Sequence, residues 1–150
     1  MTKAFFWERR VEFCETDAAG IVHFSSLIIY MEQAEHALLR SLGLSVAPTL
    51  TSGSRLAKLH DPVSWPRVRV TCDFLAPARF EDVIELQLSI DSIGSKSITY
   101  QHQLRVGEKI IAKGSITAVC CRLENGSLVG TEIPLCFRTP LSQFQAAFIE

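Results

Sequence analysis

The sequence predicts an α+β protein in which one antiparallel sheet of about five strands curls around a single long helix. Three observations carry this. Only one stretch of the 150 residues sustains helical spacing of apolar side chains. Period-two alternation recurs before and after that stretch. The later alternating runs are joined by short turns, and strands so connected pair antiparallel. No repeat, low-complexity tract or linker interrupts the chain, so residues 1–150 read as one domain.

Residues 5–14 (FFWERRVEFC) open the chain as a half-buried strand, with Trp7, Val11 and Phe13 on one face and Glu8, Arg10 and Glu12 on the other. The turn formers ETDAAG follow, with Gly20 suited to a tight reversal. The long helix runs from a cap at Ser25 or Ser26 to Gly43. Leu27, Tyr30, Met31, Ala34, Ala37, Leu38 and Leu42 form its apolar stripe. Ile28, Ile29 and Leu39 extend it to further faces, so the helix is expected to be wrapped by other structure. Glu32, Glu35 and His36 read as an ordinary polar face or an interface salt bridge.

Residues 45–66 are irregular. Strands are then expected on Val68, Val70, Cys72 and Phe74, on Ile84 to Ile90, on Ile98 to Val106, and on Ile110 to Cys120. Asn125-Gly126 is a hairpin dipeptide. A short tail helix is expected to be capped by Thr139, with Pro140 in its first turn and Leu141, Phe144 and Phe148 on one stripe.

Composition excludes several classes. A net charge of -1 is unlike the basic footprint of a nucleic-acid binder. No run approaches the roughly 20 apolar residues of a membrane span. The first ten residues lack a secretory h-region, and five cysteines without a C-x-x-C pair suit reduced thiols. A cytoplasmic location is therefore expected. No His, Cys, Asp and Glu cluster has metal-ligand spacing, so no metal is expected.

At residues 15–24 the reading becomes specific. ETDAAGIVHF, followed by the helix closing in Leu42-Gly43, resembles the opening of the 4-hydroxybenzoyl-CoA thioesterase family of hot-dog proteins. Two later blocks, RVRVTCDFLAPARFEDVIELQLSI and IGSKSITYQHQLRVGEKIIAKGSITAVCC, are similar to that family's following strands, in the same order. The resemblance spans roughly residues 5–122. It implies a hot-dog fold and an acyl-CoA thioesterase that uses no cofactor or metal. It also implies a homodimer or homotetramer with active sites at the dimer interface.

The resemblance assigns Asp17 the catalytic role, as nucleophile or as general base for water; the bare residues alone favour a turn aspartate. Glu15 reads as a solvated or salt-bridged turn residue that can raise the Asp17 pKa by like charge. The oxyanion role falls to the backbone N–H of Phe24 at the helix start. His23, six positions after Asp17, is a further catalytic candidate and reads equally as a histidine lining the pocket or sitting at the helix start. Short-chain relatives place a functional histidine seven positions on, at Phe24 here. Substrate binding is carried over to Gly20, Lys96 and Ser97, with Lys96 meeting the nucleotide part of CoA. Gly94 and Ser95 depart from the further basic residues of the hydroxybenzoyl enzyme. Arg67, Arg69, Arg79 and Arg122 are alternatives, each readable as a solvated strand residue. His60 and Asp61 read as a loop bordering the acyl pocket. An aromatic acyl group is favoured over a short aliphatic one. The rival class is a hot-dog protein that binds acyl-CoA without hydrolysing it.

Overall fold

A computed structural model describes residues 3–46 and 62–146. His60, Asp61 and Phe148 lie outside the described residues. The strands are β1 (Phe5–Arg10), β2 (Arg67–Phe74), β3 (Val83–Ile93), β4 (Ser97–Val106), β5 (Lys109–Val119), β6 (Cys121–Glu124) and β7 (Ser127–Gly130). The helices are α1 (Phe24–Ser41) and α2 (Leu135–Leu141). The first five strands form one antiparallel sheet in the order β1-β3-β4-β5-β2, while β6 and β7 make a separate hairpin turning at Asn125-Gly126.

Alternation decides which sheet face meets α1. Ile84, Leu86, Leu88 and Ile90 of β3, with Ile98, Tyr100, His102 and Leu104 of β4, are buried. From α1, Leu27, Tyr30, Met31, Ala34, Glu35, Leu38 and Leu39 are buried. This is the hot-dog arrangement. Gly114 lets the helix come close: a Cβ there would lie 2.7 Å from Met31 Cε and 2.5 Å from the Thr71 carbonyl oxygen. None of the helices among the described residues is long and apolar enough to cross a membrane.

Three expectations about elements need correction. The first strand stops at Arg10, and Phe13–Glu15 form a 3₁₀ turn that leaves Phe13 exposed. The α1 cap is His23, two residues before Ser25, because its imidazole accepts from the Ser25 N–H. The tail helix begins at Leu135 after Pro134 and carries Pro140 inside it, with Phe137 buried alongside Leu141. On β2, a register shift between Arg67 and Arg69 turns Arg67 inward, while Val68, Val70 and Phe74 remain exposed. Val70, Cys72 and Phe74 lie opposite Ile116, Gly114 and Ala112, residues of the buried face, yet of the three only Cys72 is partly buried.

Candidate active site

The loop between β1 and α1 is built from its own hydrogen bonds. Thr16 bridges Val22, the Asp17 N–H donates to the Ile21 carbonyl at 2.8 Å, and the Gly20 N–H donates to the Asp17 carbonyl at 3.0 Å. This reversal needs φ of +76° at Gly20, a region open to glycine. Asp17 Oδ1 accepts from the Ala19 N–H at 2.8 Å and from the Ile21 N–H at 3.4 Å. Its Oδ2 has no partner among the described residues. One oxygen fixes the turn, and the other takes no part in it.

Asp17 stands on the rim of an apolar groove of about 430 Å³. Ile21, Val22, Phe24 and Leu27 form one wall and Phe74 to Ala78 the other. The second wall is shaped by a bulge in β5, where the Ile111 carbonyl accepts from the N–H groups of Leu75 and Ala76. Phe24 and Phe74 meet edge to face across the groove, with centroids 6.1 Å apart. The Phe24 N–H, first in α1, has no acceptor among the described residues. It therefore carries the partial positive charge of a helix start next to the groove.

His23 is occupied differently. Its Nδ1 lies 2.7 Å from Ser25 Oγ and 3.3 Å from the Ser25 nitrogen, so the ring caps α1. Its own N–H donates to the Glu15 carbonyl at 2.8 Å. Neither His23 nor Gly20 lines the groove; both act on its shape.

Glu15 is salt-bridged. Arg9 pairs with it, the Tyr30 hydroxyl donates to its Oε2 at 2.6 Å, and the Glu12 N–H donates to the same oxygen at 2.8 Å. Burial, then the hydrogen bond to Glu15, pushes the Tyr30 hydroxyl pKa up, so it stays a donor. The network ties the Asp17 loop to β1 and to the middle of α1.

Lys96 and Ser97 are not brought to Asp17 within one copy. They sit at the β3–β4 turn, where Ser97 pairs with Val119 at the far end of β5, whereas the groove lies by Ala112, opposite Phe74. Arg67 is not a solvated strand residue. It points inward, donates to Glu35 Oε2 and to the Trp65 carbonyl, and so is not available for CoA.

The sequence reading missed Glu35 itself. It is fully buried, and its Oε1 lies 3.0 Å from His102 Nε2. The signal was present: His102 alternates with Tyr100 and Leu104, and an inward polar ring on a strand needs a buried partner.

The five cysteines are free. Burial, as the largest cause, pushes the Cys72 and Cys120 thiols up to about 11, which argues against thiolate chemistry near neutral pH. Among the described residues, no group of His, Cys, Asp and Glu is arranged to hold a metal.

A sheet wrapped on one long helix, with a carboxylate beside an apolar groove at the helix start, is the construction of hot-dog thioester hydrolases. The chain belongs to the thioesterase superfamily, whose sequence pattern matches residues 19–113. That match begins two residues after Asp17. The chain is 30% identical to a 1,4-dihydroxy-2-naphthoyl-CoA hydrolase of Synechococcus sp. (strain CC9605), covering 79% of each protein. It is 27% identical to the acyl-CoA thioester hydrolase YbgC of Escherichia coli, over 80% of this chain and 83% of that one. It superposes on the gentisyl-coenzyme A thioesterase BH1999 with a TM-score of 0.75 at 29% identity, covering 89% of this chain and 99% of that one. The protein is a thioester hydrolase.

Proposed function

We propose that the protein hydrolyses acyl-CoA thioesters, with an aromatic acyl group favoured over a short aliphatic one. The observation that carries this is the pairing of an Asp17 oxygen without a partner with an unoccupied helix-start N–H beside one apolar groove. The acyl group lies against Phe24 and Phe74, whose paired rings give the groove an aromatic surface suited to a flat aromatic guest. The carbonyl oxygen meets the Phe24 N–H, and the charge that develops there in the tetrahedral intermediate strengthens that bond. Asp17 either attacks the carbonyl, expelling CoA thiolate and leaving a mixed anhydride that water cleaves, or removes a proton from attacking water. Either route consumes one water and yields the acid and CoA, with no further cofactor. Relatives that act on dihydroxynaphthoyl-CoA and gentisyl-CoA support the aromatic choice.

The working form is a homodimer at least. Phe24 and Phe74 of the groove, and Val70 further along β2, are exposed apolar side chains in one copy. β2 is also a sheet edge with free ladder positions, which a second copy would pair. Hydrolysis of an acyl-CoA panel, followed by free-thiol release, tests the reading. Aromatic thioesters should give the highest kcat/KM, and Asp17→Asn should lower kcat by about 100-fold or more. Turnover of the variant within a few-fold of the native protein would overturn the mechanism.

A further inference from the structure

A second groove, of about 460 Å³, runs between β1 and the C-terminal half of α1. It is lined by Trp7, Arg9, Arg10, Glu12, Gln33, His36 and Arg40, with none of the residues of the Asp17 groove. Three guanidinium groups thus converge on one cleft. Glu15 pairs with Arg9, and Glu12 is the one carboxylate lining the groove, so a positive charge is left over. The Arg40 guanidinium has no hydrogen-bond or ion-pair partner among the described residues. Arg10 spends only Nη1, on the Glu81 carbonyl at 3.0 Å. Arg9 forms the floor, with its guanidinium 4.2 Å from the Tyr30 ring centroid and Nη1 donating to Gln33 Oε1. Gln33 therefore turns its amide nitrogen away from Arg9 as a further donor. Burial, the largest cause, lowers the His36 pKa, with Arg67 and Arg40 also lowering it and Glu32 and Glu35 opposing. Trp7 is partly buried and adds a flat apolar wall.

We propose that this groove binds a nucleoside phosphate, with its phosphates on Arg10 and Arg40 and its base against Trp7. Guanidinium forks match phosphate oxygens, and an indole wall suits a planar base. The groove floor is also coupled to the chemistry. Arg9 holds Glu15, and the Glu15 carbonyl accepts from the His23 N–H and from Ser26 Oγ, so occupancy bears on both the Asp17 loop and the start of α1. The ligand is either a free nucleotide or the nucleotide end of a CoA; both present the same chemistry to the groove.

Calorimetric titration of the full-length protein with ADP, and separately with pyrophosphate, tests the site without reference to hydrolysis. ADP should bind saturably, and Arg10→Ala with Arg40→Ala should weaken it about tenfold or more, the scale of one or two charge-assisted contacts. Trp7→Leu should weaken ADP more than pyrophosphate. Asp17→Asn should leave both unchanged, which separates this site from the Asp17 groove. If the source is the substrate's own handle, the double arginine variant raises KM for acyl-CoA and not for the same acyl group on pantetheine. If it is a free nucleotide, ADP changes the rate on the pantetheine substrate. Absence of ADP saturation well above about 1 mM, or binding indifferent to both arginines, overturns the proposal.

Discussion

One oxygen of Asp17 is spent on the Ala19 and Ile21 N–H groups, and that expenditure aims the other. The turn role and the proposed chemical role are therefore the same geometry, which is why the bare residues ETDAAG did not separate them. The motif made Asp17 legible; the Arg9–Glu15–Tyr30 brace was not, because its members are spread over β1, the loop and α1. Glu35 shows the opposite failure. Surrounded in sequence by Glu32, Gln33 and His36, it looked like solvent-facing charge, yet it is buried between Arg67 and His102. Such a cluster costs desolvation, and it is punished most when one member is removed. Glu35→Gln should destabilise the protein by about 2–3 kcal/mol in urea unfolding, because Arg67 and His102 lose the charge they face. Replacing the three together by Leu, Met and Leu should recover most of that loss. A single substitution within about 0.5 kcal/mol of the native protein would mean the cluster is not coupled.

At the scale of elements, periodicity located the helix and the sheet, and the errors fell at ends where a few local bonds decide. His23 is not a standard capping residue, so the start of α1 could not be read from cap preference. Its imidazole performs the same task as a serine hydroxyl by accepting from the Ser25 N–H. His23→Ala should cost about 1 kcal/mol of stability and lower kcat less than Asp17→Asn does, by loosening the Phe24 N–H. His23→Ser restores a cap without the ring and should recover both quantities. A serine variant that is stable but as inactive as Asp17→Asn would give the imidazole a direct chemical part. The exposed apolar face of β2 raises a different question. Its alternation was read correctly as one apolar face, but nothing in a strand's own pattern says whether that face is covered by its own chain or by another.

The whole molecule is where that question is answered. Val70→Lys places a charge in the row that a second copy would bury, and it should shift the protein to monomers in light scattering. Hydrolysis should fall with it, since Phe74, on the same strand, lines the groove. A variant that stays dimeric and active would remove β2 from the interface. The position of Lys96 gives the stricter test. The groove lies by Ala112, and Ser97, next to Lys96, lies by Val119, seven residues along β5, which is roughly 23 Å at about 3.3 Å per residue. A lysine at that end serves the Asp17 of its own copy poorly, and serves that of a second copy if antiparallel edges bring opposite ends of the two sheets together. Lys96→Ala should raise KM for acyl-CoA while leaving kcat and the pantetheine substrate almost unchanged, because a phosphate contact acts equally on ground and transition states. Mixing the Asp17→Asn and Lys96→Ala proteins after unfolding and refolding them together then separates the two arrangements. If each site takes Asp17 from one copy and Lys96 from the other, every mixed dimer rebuilds one native site, so about a quarter of all sites regain the low KM. If both residues serve within one copy, no native site is rebuilt, and the mixture shows only the average of its parents.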